Sequence, residues 1–332
     1  GVGVAFKLCQ ALYQKITKNS KMWMENIDLV ALGTIADMVP LLGENRELVR
    51  AGLKIMSNTK NKGLAALIEA AGMTGKPITG GTVGFTIAPR LNAVGRLDDA
   101  LDGVKLLTCD DAVQAKKMAK ILNEENITRQ GISQRIFEEA DAMLQQGPQP
   151  TWGIVLFKED WHPGVIGIAA SRLVEKYDLP VILLTKDGDK AKGSCRSIPP
   201  LNLYEALAGC QSLLLQFGGH KQAAGLTLTI DNIPAFRKAF QEQVRAMLAG
   251  EKYVPAITPD YYFPAEQEIT TEAVQNLSLL EPCGMGNPSA VFAFANAKIL
   301  NTTIIGKERE HLRLNIVNGN YQYTGLLWHE GV

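Results

Sequence analysis

The chain lacks any run of about 18 uninterrupted apolar residues, the length a membrane-spanning helix needs, and it has no basic-then-apolar leader pattern. Neither a membrane span nor secretion is indicated, and the cytoplasm is the expected compartment. Cysteine is sparse. Cys9, Cys109, Cys195, Cys210 and Cys283 are scattered, odd in number and never in Cys-x-x-Cys spacing, so free thiols are expected rather than a disulfide framework or a zinc site. Net charge is absent as well, with 34 basic against 34 acidic residues. A dedicated nucleic-acid-binding domain carries a basic excess. A nuclease cleft needs only local positive potential, and its carboxylates pull the total toward neutrality, so the balance does not exclude one. What is present is the composition of a globular protein, 46% hydrophobic and 20% charged over 332 residues, long enough for about two or three domains.

Periodicity divides the chain. Val4, Leu8, Leu12 and Ile16 keep a helical spacing, and the apolar stretch Ile27–Leu32 reads as a buried strand with Asp37 just beyond its end. A carboxylate outside the carboxyl end of a strand is well placed for metal chemistry; a cap or turn role fits the same position. Residues 61 to 108 read as helices with glycine interruptions. From Asp110 to Gln146 the three- and four-residue spacing of apolar side chains predicts one long helix or two in series. After Gly147-Pro148-Gln149-Pro150 the pattern becomes α/β. Strands are expected at Ile154–Phe157, Pro180–Leu184 and Leu226–Ile230, helices at Ile166–Tyr177, Leu203–Leu213 and Pro234–Leu248, and a loop at Ser194–Ile198. Pro255, Pro259 and Pro264 mark a linker. Short strands beyond it, at Val291–Ala295, Ala297–Ile304, His311–Val317 and Tyr321–Trp328, suggest a small β-barrel.

The segment richest in chemistry is Gly218-Gly219-His220-Lys221-Gln222-Ala223-Ala224-Gly225. Glycines free to take positive φ can aim backbone amides at one anionic oxygen, and His220 adds a directed donor. A plain tight turn with a surface histidine would read the same in isolation. Arg196 and Ser197 offer a guanidinium fork and a hydroxyl, which suit a phosphate or a surface ion pair. His162, between Trp161 and Pro163-Gly164, opens a predicted helix, where an anion is favoured and a packed tryptophan turn is the plainer reading.

Gly-Gly-His followed by Ala-Ala-Gly resembles the signature of the DHHA1 domain, the substrate-binding module that accompanies the Asp-His-His (DHH) catalytic domain of a phosphoesterase superfamily. Leu32-Gly33-Thr34-Ile35-Ala36-Asp37-Met38-Val39-Pro40-Leu41 resembles the last metal-binding motif of that catalytic domain. Pro89-Arg90-Leu91-Asn92-Ala93-Val94-Gly95-Arg96 resembles the segment that follows it. Trp161–Gly167 and Leu280–Pro288 are similar to stretches of the RecJ family of bacterial single-strand-specific 5′ exonucleases, and all these segments occur in the family's order.

The resemblance implies an α/β multidomain chain: residues 1–58 as the end of an α/β DHH domain, 59–148 as a helical connector with the long helix, 149–252 as DHHA1, and 253–332 as an OB-like β-barrel, truncated at its end. No Asp-His-His triplet is present, so the resemblance implies a C-terminal fragment that binds substrate and is catalytically incomplete. The implied activity of the intact protein is Mn2+- or Mg2+-dependent 5′-to-3′ hydrolysis of single-stranded DNA in repair and recombination, with single-strand-binding protein and a helicase as partners and no membrane association. Asp37 is the metal ligand and catalytic residue the resemblance carries over. Gly218, Gly219, His220, Arg196, Ser197, His162, Arg90, Asn92 and Arg96 are the implied phosphate contacts, and an ion pair of Arg96 with Asp98 or Asp99 fits the same segment equally well. Lys307, Arg309, Arg313, Tyr321, Tyr323 and Trp328 have the basic-plus-aromatic mix of a single-strand platform, or of an ordinary core. Two other functions fit parts of the same pattern: a phosphodiesterase acting on very short oligonucleotides or cyclic dinucleotides, and a non-enzymatic single-strand-binding relative.

Overall fold

The computed structural model describes residues 1–16, 22–97, 100–148, 150–264, 267–306 and 309–328. In chain order the first helices are α1 (Val2–Ile16), α2 (Ile27–Ala36), α3 (Gly43–Met56) and α4 (Lys62–Ala70). A single turn, α5 (Gly80–Thr82), runs through a π-helical turn at Val83–Ile87 into α6 (Ala88–Leu97), followed by α7 (Leu101–Leu107) and α8 (Ala112–Gln146). Next come β1 (Ile154–Phe157), α9 (Ile166–Tyr177), β2 (Val181–Asp187), β3 (Lys190–Arg196), α10 (Leu203–Ala208), β4 (Gln216–Gly219), β5 (Ala223–Thr229) and α11 (Ile233–Met247). The chain continues through β6 (Tyr261–Phe263), α12 (Thr271–Asn276), β7 (Phe292–Phe294), β8 (Lys298–Ile305), β9 (His311–Asn318) and β10 (Tyr321–Leu327). Two compact units result, one of residues 1–58, 77–84 and 256–332, the other of 59–76 and 85–255.

In the first unit, the stretch expected as a buried strand, Ile27–Leu32, is instead the start of helix α2. Ile27, Asp28, Val30, Ala31, Leu32 and Thr34 are all buried, and a helix apolar on every side reads like a buried strand in sequence. Small residues permit the packing: a Cβ on Gly33 would lie 2.9 Å from Val2 of α1, and one on Gly52 of α3 would lie 2.4 Å from the Ile27 carbonyl. Described residues of 1–58 therefore contribute helices and no strand. The later part of this unit seats on α3, where Arg46 donates to the Leu279 and Leu280 carbonyls at 3.2 and 2.9 Å and the Leu41 amide donates to Met285 at 2.7 Å. Its strands form a three-stranded antiparallel sheet, β10-β9-β8, and a two-stranded parallel pair, β6-β7.

In the second unit, α8 is one helix of 35 residues, begun by Asp111, whose carboxylate accepts from the Val113 and Gln114 amides at 2.8 and 3.2 Å. Those bonds hold the Asp111 carboxyl below the usual range. The sheet has the order β1-β2-β3-β5-β4, with β1 and β2 parallel around α9 and the other pairs antiparallel. One face packs Ile182, Leu184, Cys195, Leu226 and Leu228 against Phe236 and Phe240 of α11. The other packs Val181 and Leu183 against α9 and the last third of α8. Burial pushes the Cys195 thiol up to about 12 and the Cys210 thiol up to about 11, which leaves both as inert core residues.

Two sequence expectations change here. Ser194, Cys195 and Arg196, expected in a loop, close strand β3, and the helix expected over Leu203–Leu213 ends at Ala208, with a 3₁₀ turn at Gln211–Leu213. The strand was hidden because Lys190, Lys192, Ser194 and Arg196 alternate onto a face without apolar residues, while Ala191, Gly193 and Cys195 fill the buried one.

Candidate phosphate site on an open sheet face

On the face covered by α9, the helix reaches β2 and β3 and leaves β5 and β4 uncovered: Gln216, Gly218, Ala223 and Gly225 are exposed. Register sets three rows across this open region. Arg196 pairs with Ala223; Ser194 pairs with Gly225, which pairs with Gly218; Lys192 pairs with Thr227, which pairs with Gln216. Directly opposed residues share a face, so the middle row is a stripe of nearly bare backbone with one hydroxyl at its end. A cavity of about 510 Å³ lies over it, lined by Asp187, Lys192, Gln216, Gly218, Gly225 and Thr227 among others.

The two glycines of Gly218-Gly219 have different reasons. Gly219 takes φ +149°, and a Cβ there would lie 2.5 Å from the Ala223 carbonyl, so the fold itself demands glycine. Gly218, expected to share that conformation, has no positive φ, and a Cβ there would meet nothing within 4 Å. Its missing side chain leaves room over the sheet rather than relieving strain. Gly219→Ala is accordingly expected to destabilise the domain by about 1–3 kcal/mol, whereas Gly218→Ala leaves the melting temperature unchanged. Thermal melts of the two variants check this pair.

Arg196 is held by its surroundings. Its Nη1 donates to the Ser194 hydroxyl at 3.1 Å and to the Cys195 carbonyl at 2.8 Å. Gly167, in the first turn of α9, makes room for it: a Cβ there would lie 2.6 Å from Ser194 Oγ and 2.7 Å from Arg196 Nη2. Guanidinium, hydroxyl and the first turn of α9 thus converge, a combination suited to an anion. The expected hydroxyl, Ser197, is spent elsewhere, being buried and donating to the Leu201 carbonyl at 3.0 Å. Ser194, which sequence reading passed over, takes its place; the cue was its two-residue spacing from Arg196, which on a strand puts both side chains on one face.

His220 follows Gly219 in a turn pinned through its backbone. The Ser197 amide donates to Gln222, the Leu203 amide to Lys221 and the His220 amide to Ala223, at 3.0, 2.9 and 2.8 Å. The imidazole is exposed, and it sits at the same end of the sheet as Arg196, whose cross-strand partner is Ala223. His162 has a local duty. Its carbonyl accepts the Val165 and Ile166 amides at 3.0 and 3.1 Å and its Nδ1 accepts from Gly164 at 3.2 Å. Trp161 is buried, with its indole N–H donated to Glu139 at 2.7 Å.

Asp37 lies at the C-cap of α2 and is exposed, not at the end of a strand. Among the described residues no group of three or more His, Cys, Asp or Glu side chains is arranged to hold a metal ion. In the other unit, Tyr261, Phe263, Phe292, Phe294 and Tyr323 form a run of edge-on, tilted and stacked ring contacts, and half-buried Tyr323 accepts the Ile269 amide through its hydroxyl at 3.1 Å, so its ring is engaged in packing. Trp328 is exposed and meets His311 edge-on at 4.7 Å, and Arg313 is exposed on β9. Lys307, His329, Asp98 and Asp99, and the side chain of Arg96, lie outside the described residues.

Comparison with known proteins places this geometry. The DHHA1 domain family matches residues 151–246 and the RecJ OB domain family matches residues 262–332. The chain is 38% identical over its whole length to the single-stranded-DNA-specific exonuclease RecJ of Bacillus subtilis, of which it spans 42%. It is 35% identical over 98% of its length to the Escherichia coli protein of the same name, of which it spans 59%. Crystal structures of Thermus thermophilus RecJ in complex with Mg2+ and with Mn2+ each superpose on 99% of the chain with a TM-score of 0.82 and 34% identity, the chain covering 50% and 48% of them. Both domain families are matched in order, and the chain is similar along nearly all of its backbone to RecJ exonucleases, of which it spans about half the length.

Proposed function

We propose that this chain holds single-stranded DNA for a RecJ-type exonuclease reaction, the 5′-to-3′ removal of nucleotides in repair and recombination with Mn2+ or Mg2+. The observation that carries the reading is the bare stripe Ser194–Gly225–Gly218 beside Arg196. A sheet face stripped of side chains lets a sugar-phosphate backbone approach, and the guanidinium supplies charge where a phosphate would lie. Arg196, Ser194 and His220 are the phosphate contacts, and Gly218 and Gly225 are the surface the strand crosses. Asp37 belongs to the metal centre, with Arg90, Asn92 and Arg96 as further strand contacts. Domains run over 1–58, 59–148, 149–252 and 253–332. Single-strand-binding protein and a helicase are the partners such a role calls for, in the cytoplasm; no helix among the described residues is long and apolar enough to cross a membrane.

The described residues do not fit a divalent-metal centre by themselves. One exposed carboxylate at a helix C-cap cannot hold an ion pair, and no hydrolytic step is assigned to this chain's own groups. Binding is the property to test. Fluorescence anisotropy with labelled oligonucleotides is expected to give tighter binding to single strands than to duplexes. Affinity should fall with salt at a log-log slope of about 0.7 per phosphate contact. Equal affinity for both forms, or none for either, would contradict the reading.

A further inference from the structure

Phe85 is 87% exposed, the most of any large apolar side chain among the described residues. It stands on the π-helical turn Val83–Ile87 that leads into α6. The cause of that turn is in the sequence: Pro89 has no N–H to give the carbonyl four residues earlier, that of Phe85, and its ring crowds that oxygen, so the helix widens. π turns of this kind occur frequently at functional sites.

One residue further along, the Thr86 carbonyl accepts from Nη1 of Arg90, and Arg90 Nε donates to Asn123 Oδ1 at 2.9 Å. Both partners are neutral. Burial holds the Arg90 pKa below the usual arginine value, and no carboxylate among the described residues is bonded to it. A half-buried guanidinium without a carboxylate favours an anion beside it. An exposed ring five residues before a cation that is bonded to the adjoining Thr86 carbonyl supplies the two elements of single-strand binding, a surface for a base and a charge for the backbone.

We propose that Phe85 and Arg90 form a one-nucleotide contact for single-stranded nucleic acid, the base lying on the Phe85 ring and the adjoining phosphate meeting the Arg90 guanidinium. The inference rests on the strand-binding reading above. It adds a stacking residue outside the sheet-face groove, which has no exposed ring of its own among the residues that line its cavity except the half-buried Phe217.

The test measures oligo-dT binding by anisotropy for the full chain and for Phe85→Ala, Phe85→Trp, Arg90→Gln and Arg196→Ala. Phe85→Ala is expected to weaken binding roughly five- to hundredfold, the range for loss of one stacked base, without moving the melting temperature, because the ring is 87% exposed. Phe85→Trp should keep the affinity and add an indole emission that is quenched on binding. An oligonucleotide carrying abasic sites should bind wild type and Phe85→Ala alike. Unchanged affinity in Phe85→Ala while Arg196→Ala still weakens binding would overturn this inference and leave the groove intact. Wild-type protein that binds no oligonucleotide would remove both. A Phe85→Ala protein altered only in self-association would assign the ring to a protein contact and overturn the proposal equally.

Discussion

Mixed with 5′-labelled single-stranded DNA and either Mn2+ or Mg2+, the chain is expected to bind the strand and leave it uncut. Phosphodiester hydrolysis of this kind needs two ions about 3.5–4 Å apart, one to generate the attacking hydroxide and one to neutralise the leaving oxygen. Each ion takes several hard oxygen or imidazole ligands. The described residues bring no three such side chains together, and Asp37 stands exposed at the end of α2. Rate enhancements for phosphate-ester hydrolysis are many orders of magnitude, so the loss should be total within the range of a gel assay. Binding should survive a chelator, because Arg196, Ser194 and the backbone of β4 and β5 need no metal to meet phosphate. Metal-dependent release of nucleotides at the rate of a full-length relative would show that the chain's own residues assemble a centre.

Arg196→Ala is expected to weaken nucleotide binding about ten- to hundredfold. A hydrogen bond to a charged group contributes roughly 1.5–3 kcal/mol, and Arg196 is pre-oriented by Ser194, the Cys195 carbonyl and the space over Gly167. Its side chain is only partly buried at the end of a strand, so the melting temperature should move little. His220→Ala should act similarly, from an imidazole already exposed. If both groups face one phosphate, the double variant loses less than the sum of the two single losses, since either substitution already spoils the shared geometry. Isothermal titration with a 5′-mononucleotide and with a phosphorylated oligonucleotide measures both. Full additivity would place His220 and Arg196 on separate contacts.

Those residues were not equally legible in the sequence. The α/β unit was readable because its elements are long or strongly patterned: α9 occurs at Ile166–Tyr177, where the apolar spacing put it, and α8 is continuous across Gly131. Ile27–Leu32 was misread because a short helix buried on all sides carries no periodicity. Strand β3 was missed because Lys190, Lys192, Ser194 and Arg196 make one of its faces polar while small residues fill the other, and with it went the pairing of Ser194 with Arg196. Gly218 and Gly219 look alike in sequence, and only cross-strand distances separate the glycine the fold requires from the one with open space above it. The prolines Pro255, Pro259 and Pro264 mark a linker ahead of the β domain, and residues 256–332 lie in the same compact unit as 1–58, with Arg46 and Leu41 bonded to the 279–285 stretch. Deleting everything after Pro255 would therefore strip α3 of its partners as well as removing the β domain. The π turn under Phe85 could have been anticipated from Pro89, but nothing in the sequence marks the ring as exposed.

The most direct test of the central claim is a backbone-amide NMR titration of the chain with a 5′-phosphorylated thymidine dinucleotide. The account predicts that the largest shift changes fall on Ser194, Arg196, Gly218, His220 and Gly225, while amides of α11 on the opposite side of the same sheet stay in place. Changes confined to residues away from the β3-β5-β4 face, or none at saturating dinucleotide, would contradict it.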